Sequence, residues 1–496
     1  MNLASVFASS VEKHSAKTAI FWGETELNYA QLWKQSRWVA ARLRDRLGVK
    51  PGDRVGVWLR NCPEFVPAVY GILLAGGAIV PINNFLKADE VLHILKDAGI
   101  NVLISESSLA EAFPKLQAGC PALQILSAEE IADEPPEDAP ATAAQTLDDL
   151  AVIIYTSGTT GRSKGAMLTH GNLMHNVESC RQILEAVPHD RFVVLLPMFH
   201  SFMLTVCIFL PLTVGGSMVL VKSLHPPKNI IQDVMLRQAT ILPAIPQLFR
   251  ALANAPIPGQ LPLRLCISGA APLPGEILKE FTERFPIPLI EGYGLSEASP
   301  VVSINPIRGP WKAGSIGKPI PDVEVSVQDE SGNFLPDGEI GEICVRGGNV
   351  MKGYWNQPDS TAAALRNGWL LTGDVGYRDS DGYYFITDRK KDMLLVNGIN
   401  VYPREIEEII YTFRGVKETA VISQPDARKG EQPVAFVAMN EGADLNEREL
   451  LTYLRERLAD YKVPRRVHLV PALPRNATGK ILKTALREKL ASERAE

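Results

Sequence analysis

Cysteine is scarce: six in 496 residues, far apart at positions 62, 120, 180, 207, 266 and 344. None forms a CxxC pair and none has a nearby histidine partner, which argues against a zinc cluster, a redox dithiol or a disulfide framework. The expected state is reduced, mostly buried thiols in a cytoplasmic protein. No stretch is apolar for the roughly 20 residues that a membrane-spanning helix needs. The longest such run, 202–215, is shorter and contains Pro211. The first residues, MNLASVFASSVEKHSAK, lack a basic segment followed by an apolar one, so no secretory leader is expected. Basic clusters are missing too. With 51 Lys and Arg against 56 Asp and Glu, net −5, nucleic acid is not an expected partner, because phosphate neutralisation needs clustered cations. Internal repeats are absent.

What remains is a chain of ordinary globular composition, 46% hydrophobic and 22% charged. Its length gives a prior of about three domains. Along residues 1–120, helical patterns (29–47, 65–74, 88–98) alternate with short apolar runs (55–59, 78–83, 101–105). That alternation predicts a wound, parallel α/β sheet. Residues 133–147, rich in Pro, Ala and acid, read as a connector. A second α/β stretch follows to about residue 300, then a strand-rich region over 314–387 with turn signals DESGN, PDG and DSDG. After the charged segment DRKKD (388–392) the texture changes. Pro403 opens a helix with Ile406, Ile409, Ile410 and Phe413 on one face and Glu405, Glu407 and Glu408 outside it. Asn446 caps another helix, with Glu449 three positions on. The fold class is therefore α/β: a large N-terminal region of wound α/β parts plus a β-rich part, followed by a small α+β unit.

The sharpest local feature is AVIIYTSGTTGRSKGAMLTH (151–170). A strand-like run feeds a loop carrying the hydroxyls of Thr156, Ser157, Thr159 and Thr160, the glycines 158, 161 and 165, and Lys164. Glycines let backbone wrap a ligand, and hydroxyls with amide N–H groups bind phosphate oxygens. The spacing is not that of the Walker loop, which excludes a phosphate-loop ATPase or kinase. Alone, such a loop is usually a surface turn. It does not stand alone: SGAAPL (268–273), EGYGLSEASP (291–300), WLLTGDVGY (369–377), ITDRKKDMLLVNGINVYPREIE (386–407) and LPRNATGKILK (473–483) follow in order.

Together these motifs resemble, over nearly the whole chain, the adenylate-forming superfamily, and most closely its fatty-acyl-CoA ligases. The departure is Ser163, where the family usually has proline. The resemblance implies that the 156–165 loop, including Gly158, Gly161 and Lys164, holds the phosphates of ATP. It implies that Tyr293, between Gly292 and Gly294, stacks on adenine, that Ser296 contacts phosphate, and that Glu297 with Thr156 holds Mg²⁺. Gly269, Ala270 and Ala271 would leave room for adenine and the acyl chain. Asp374 would accept hydrogen bonds from the ribose hydroxyls, with Arg389 as a second ribose or phosphate contact. Lys480 would bridge the carboxylate and the α-phosphate, and His200 would sit beside the carboxylate. Lys391 matches the hinge of a mobile C-terminal domain, dividing the chain into residues 1–390 and 391–496. Gly398 would lie on the CoA side after that domain turns.

A carboxylate is a poor electrophile; joining it to AMP with release of pyrophosphate creates an anhydride that the thiol of CoA, the co-substrate, can attack. The resemblance favours a medium- or long-chain fatty acid, and 201–216, almost wholly apolar, would suit its pocket. Other readings of that run and of the chemistry stay open. The run fits core packing equally well, and an aryl acid, or a carrier-protein phosphopantetheine as acceptor, fits the same motifs. The expected partners are thus a small carboxylic acid, ATP and CoA, in a monomer or a homodimer.

Overall fold

The computed structural model describes residues 2–132, 144–156, 163–224, 228–257, 259–426, 428, 430–443, 446–476 and 479–495. Three sheets organise them. In the seven-stranded sheet, Arg54–Trp58 lies between Ala78–Pro81 and Val102–Ser105, with all three strands parallel. These strands are continuous apolar runs, as strands covered on both faces must be. Leu150–Thr156 joins the same sheet beside Ala78–Pro81 and turns back antiparallel into Lys164–Thr169.

The largest sheet begins as a parallel α/β sheet. Thr18–Trp22, Ser217–Leu220, Arg191–Val194, Ile241–Ala244, Leu265–Ser268 and Leu289–Gly294 lie side by side. The strand-rich stretch expected as a separate part continues this sheet. Leu289–Gly294 pairs antiparallel with Val301–Ile304, and the order runs on through Ser315–Pro319, Tyr384–Arg389, Trp369–Arg378 and Gly341–Gly347. One apolar core joins the two large sheets, with Val55, Ile79 and Val152 from one and Ile20, Val193 and Val219 from the other. Helix Phe65–Leu74 lies within it, every residue buried, which is why its sequence is apolar all round.

The run 201–216 belongs to this core. Met203–Phe209 winds as a π-helix, Leu210–Val214 continues as α-helix, and every residue from Met203 to Leu212 is buried. Turning that surface into a pocket wall would sacrifice roughly 1.5–3 kcal/mol for each large side chain exposed. The core reading therefore holds for the run, and only its first residues, Ser201 and Phe202, border the cleft described below. The helix expected over 29–47 likewise ends its α-helical part at Ala41 and passes into a π-turn, Arg42–Arg46.

The remaining sheet is small: Ile399–Val401, Leu394–Val396, Gly430–Met439 and Val416–Asp426, with Val467–Leu469 beside Gly430–Met439. Alternation along Val416–Asp426 serves two cores. Val421 packs with Ile406, Ile410 and Leu450 on one face, while Ala420 and Ile422 pack with Leu486 and Leu490 on the other. The helix opened by Pro403 spans Pro403–Tyr411. Glu407 does not stay in solvent as its position suggested. It accepts from the backbone of Val421 at 2.7 Å and pairs with Lys483 at 2.8 Å.

Candidate active site

The strands Leu150–Thr156 and Lys164–Thr169 hold the ends of the hydroxyl-rich loop in register, Thr156 opposite Lys164. Ser157, Gly158, Thr159, Thr160 and Gly161 lie outside the described residues. The Thr156 hydroxyl is 3.4 Å from Glu297 Oε1. Glu297 sits on the 3₁₀ turn Ser296–Ala298 that follows strand Leu289–Gly294. The same Oε1 accepts the Tyr354 hydroxyl at 2.9 Å, and the Lys164 ammonium stands 5.3 Å from the centre of the Tyr354 ring. Ser296 shares a 3.1 Å hydrogen bond with Ser201.

Asp374 is the second anchor. In the antiparallel pair Trp369–Arg378 and Tyr384–Arg389 it stands directly opposite Arg389, whose Nε donates to Oδ1 at 2.6 Å. The Tyr293 hydroxyl donates to Oδ2 at 2.6 Å. Sheet order puts Val301–Ile304, Ser315–Pro319 and Tyr384–Arg389 between the strands of these two residues. At strand spacing that is roughly 19 Å on a flat sheet. The direct contact requires the sheet to curl over the cleft. Burial and the Asp374 charge hold the Tyr293 phenol far above its ordinary range, so it stays a donor. Asp374 is itself buried, and a carboxylate with two donors retains lone pairs for further hydroxyls. Arg389 is held in its charged form, first by Asp374.

The turn after Leu265–Ser268 supplies Gly269, Ala270 and Ala271. A Cβ on Gly269 would come within 3.2 Å of the Phe202 ring, so a small residue is needed there. Ala270 has φ +65°, a left-handed conformation unusual for a residue with a side chain and of the kind that clusters at ligand sites. Beneath the turn, the buried Glu291 carboxylate accepts the Leu273 N–H at 3.1 Å. Burial pushes its pKa up to about 7, opposed by the charge of Arg404.

Lys480 comes from the other side. Its loop closes on Asn476, whose side chain accepts the Lys480 N–H at 2.9 Å and whose own N–H donates to the Lys480 carbonyl at 2.9 Å. Gly479 has φ +84°, and a Cβ there would come within 2.8 Å of Ile245. Only glycine lets the loop press against Ile245 in that conformation. Lys480 is exposed. Its amine is nevertheless lowered, first by lost hydration and then by Arg389, while Asp374 and Glu297 oppose the shift. His200 faces the same lysine. Burial and the Lys480 charge lower its imidazole to about 3, so the ring is neutral at physiological pH. Its Nδ1 accepts the Phe202 N–H at 3.3 Å.

The cleft thus gathers Thr156, Lys164, Ser296, Glu297, Tyr293, Asp374, Arg389, His200 and Lys480. Lys391 lies on an exposed turn at the junction with the small sheet. Gly398 is not part of the gathering. With Asn397 it forms the positive-φ turn between Leu394–Val396 and Ile399–Val401, and a Cβ there would meet nothing within 4 Å. Sequence reasoning missed Tyr354, whose GYW context gives no local hint of its partner. It also missed Glu291, although that residue opens the EGYG motif.

The donor set fits Mg²⁺. Glu297 and Thr156 present oxygen atoms, and Glu297 Oε2 accepts no hydrogen bond from the described residues. No group of three or more His, Cys, Asp or Glu side chains gathers among the described residues. One carboxylate beside a phosphate-binding loop is how this hard cation is usually held, with nucleotide phosphates and water completing its shell.

Comparison with known proteins places the chain in a family. Residues 7–355 match the profile of the AMP-binding enzyme family, and residues 405–480 match that of the AMP-binding enzyme C-terminal domain. A feruloyl-CoA synthase of Amycolatopsis sp is 38% identical, over 95% of this chain and 96% of the relative. A long-chain-fatty-acid–CoA ligase of Bacillus subtilis is 35% identical, over 98% and 94%. The crystal structure of ATP-bound MatB from Rhodopseudomonas palustris superposes with a TM-score of 0.91 at 34% identity, covering 99% of both chains. With the family profile covering most of its length and the fold shared end to end, the chain belongs to the AMP-binding enzymes of the adenylate-forming superfamily, as an ATP-dependent, AMP-forming acyl-CoA ligase.

Proposed function

We propose that this chain activates a hydrophobic monocarboxylic acid, a medium- or long-chain fatty acid, with the cleft residues in the following roles. The observation that carries the assignment is that Asp374 is joined to Arg389 and to Tyr293 at 2.6 Å each, while Glu297 meets Tyr354 at 2.9 Å and Thr156 at 3.4 Å beside the hydroxyl-rich loop, with Lys480 of the C-terminal unit within range of these charges. Tyr293 stacks on adenine, and Asp374 accepts the ribose hydroxyls beside Arg389. Lys164 and the hydroxyls of its loop meet the phosphates, with Ser296 nearby. Glu297 and Thr156 would hold Mg²⁺, which would supply charge neutralisation to the phosphates.

The acid's carboxylate oxygen attacks the α-phosphorus, the bond to the pyrophosphate oxygen breaks, and acyl-AMP forms. Lys480 brings the two anions together and offsets charge developing on the phosphoryl oxygens. His200, being neutral, orients the carboxylate without adding a second positive charge. The thiolate of CoA then attacks the acyl carbon, and AMP leaves with the bonding electron pair.

In this reading residues 391–496 turn about Lys391 between the two steps, and the Gly398 hairpin replaces Lys480 in the cleft. Two features support it. Asp388 accepts the Arg404 N–H at 3.0 Å and Asp392 pairs with Arg487 at 2.5 Å, while Lys391 between them is exposed. Leu395 and Ile399, flanking the hairpin turn, are 50% and 46% exposed, an apolar surface suited to a second docking position.

The fatty-acid assignment rests on the long-chain relative and on the apolar Phe202, whose N–H donates to His200 and whose ring lies against Gly269. A second reading, an aryl acid, is favoured by the feruloyl-CoA synthase relative. A pyrophosphate-release screen with CoA, over fatty acids of graded length plus ferulate, tests both. Turnover that rises with chain length supports the first, and preference for ferulate supports the second. Preference for short acids overturns both.

A further inference from the structure

Arg250 is a charged residue that no step above uses. It lies on helix Pro246–Asn254, and its side chain is 19% exposed. Its Nη1 donates to the carbonyl of Lys417 at 2.7 Å, and its Nη2 donates to the carbonyl of Val416 at 3.3 Å. Both carbonyls belong to the small C-terminal sheet, at the start of strand Val416–Asp426. The pairing of that strand slips between Val416 and Glu418, which makes Lys417 the extra residue of a bulge. A bulged residue is left out of the ladder, so its carbonyl is free for a donor outside the sheet. Glu280, on helix Gly275–Arg284, holds the guanidinium from behind at 3.2 Å.

The same helix touches the C-terminal unit a second time. Ile245, its N-cap, is the residue against which Gly479 packs, one position before Lys480. Ile245 and Arg250 are five residues apart, roughly 7–8 Å along a helix axis. Contact at two separated points on one rigid element fixes orientation, which contact at one point does not. One of those points is next to the lysine.

We propose that Arg250 is a positioning residue for the adenylation step: gripping the bulge at Lys417, it sets the C-terminal unit so that Lys480 stands in the cleft, and it releases that unit for the thiol step. The proposal rests on the reading of Lys480 and of the two-position domain given above. The guanidinium suits the task because its planar fork serves two carbonyls and Glu280 at once, which a lysine ammonium on its single stem does less well.

The test measures each half-reaction separately in Arg250→Ala and Arg250→Lys. Acid-dependent ATP–pyrophosphate exchange reports adenylation, and thioester formation from supplied acyl-AMP and CoA reports the second step. Loss of two charge-assisted hydrogen bonds is expected to slow exchange by at least about tenfold in Arg250→Ala and by less in Arg250→Lys. Thioester formation should stay within about twofold, and the melting temperature within about 2 °C. A residue that merely stabilised the fold would lower both half-reactions together, and that result, in Arg250→Ala or in the milder Arg250→Lys, overturns the proposal. So does unchanged exchange. Lys480→Ala is the control: if it retains exchange, the reading of the cleft falls and the role of Arg250 with it. If it loses exchange, the two variants at Arg250 decide alone.

Discussion

Tyr354 offers the most direct check on how Glu297, the carboxylate proposed to hold Mg²⁺, is oriented. Its hydroxyl donates to Glu297 Oε1 at 2.9 Å, the oxygen that also lies 3.4 Å from the Thr156 hydroxyl. Removing the hydroxyl in Tyr354→Phe deletes a hydrogen bond to a charged acceptor and leaves the ring that faces Lys164. Such bonds contribute about 1.5–3 kcal/mol. Tyr354 is only half-buried, so water can partly replace the hydroxyl, and the lower end applies. About 1.5 kcal/mol corresponds to roughly a tenfold weaker hold on the carboxylate in its working orientation. The Mg²⁺ concentration giving half-maximal exchange should rise by about that factor, while thioester formation from supplied acyl-AMP changes little. Calorimetric titration of the variant with ATP, with and without Mg²⁺, gives a second readout: the gain in affinity that Mg²⁺ confers should shrink. An unchanged Mg²⁺ requirement would refute the link between Tyr354 and Glu297 orientation.

Two further outcomes follow from pKa shifts. Glu291 has its folded pKa raised from 4.5 to about 7. Its stabilising protonated form is fully present below the unfolded value and is lost as pH rises through about 7, so Glu291→Gln should raise the melting temperature at pH 8 by about 1–3 °C relative to its effect at pH 5. A variant that gains nothing at pH 8 contradicts the assignment. His200, lowered to about 3, does not titrate in the working range. His200→Asn should therefore leave the shape of the rate profile between pH 6 and 8 unchanged, while raising the KM for the acid severalfold. Disappearance of an acid limb near pH 6.5 in that variant would mean that the imidazole titrates there after all.

Local pattern determined much of this architecture. The all-apolar helix Phe65–Leu74 was legible to the residue, because burial on every side leaves no polar face to blur the pattern. The start of the amphipathic helix Pro403–Tyr411 was legible too, from the proline at its first position, but Phe413, read onto its apolar face, lies past its end. Continuity between the α/β sheet and the strand-rich part was not legible. It depends on the antiparallel turn-back of Val301–Ile304, and edge pairing between distant strands leaves no periodicity in either strand. The apolar run 201–216 was ambiguous for a physical reason: pocket wall and core draw on the same residues, and only packing on all sides distinguishes them. At the cleft, the motif residues Asp374, Tyr293, Glu297 and Lys480 could be named from the sequence, but their mutual contacts could not. Tyr354 and Arg250 lay wholly outside its reach, since each contacts a partner far away in the chain, Glu297 in one case and the bulge at Lys417 in the other.

The charge arrangement also bears on how Lys480 would serve the proposed reaction. Stripping water from an ammonium is costly, and Arg389 nearby adds repulsion. Asp374 and Glu297 oppose both effects, but neither binds Lys480 in a close pair. Asp374 is already committed to Arg389 and Tyr293, and Glu297 to Tyr354. The lysine is therefore within range of two carboxylates without being locked to either. An ammonium held in that way can turn to a phosphate and a carboxylate when they arrive, and can leave when the phosphate charge is gone. Had either acid paired with Lys480 directly, the same charges would hold the C-terminal unit in one position and oppose the second half of the reaction. His200 completes the balance by staying neutral: a second cation there would raise the cost of keeping Lys480 charged. In this reading the local balance of Lys480 and Arg389 against Asp374 and Glu297, with a neutral His200, matters more than the overall charge of −5.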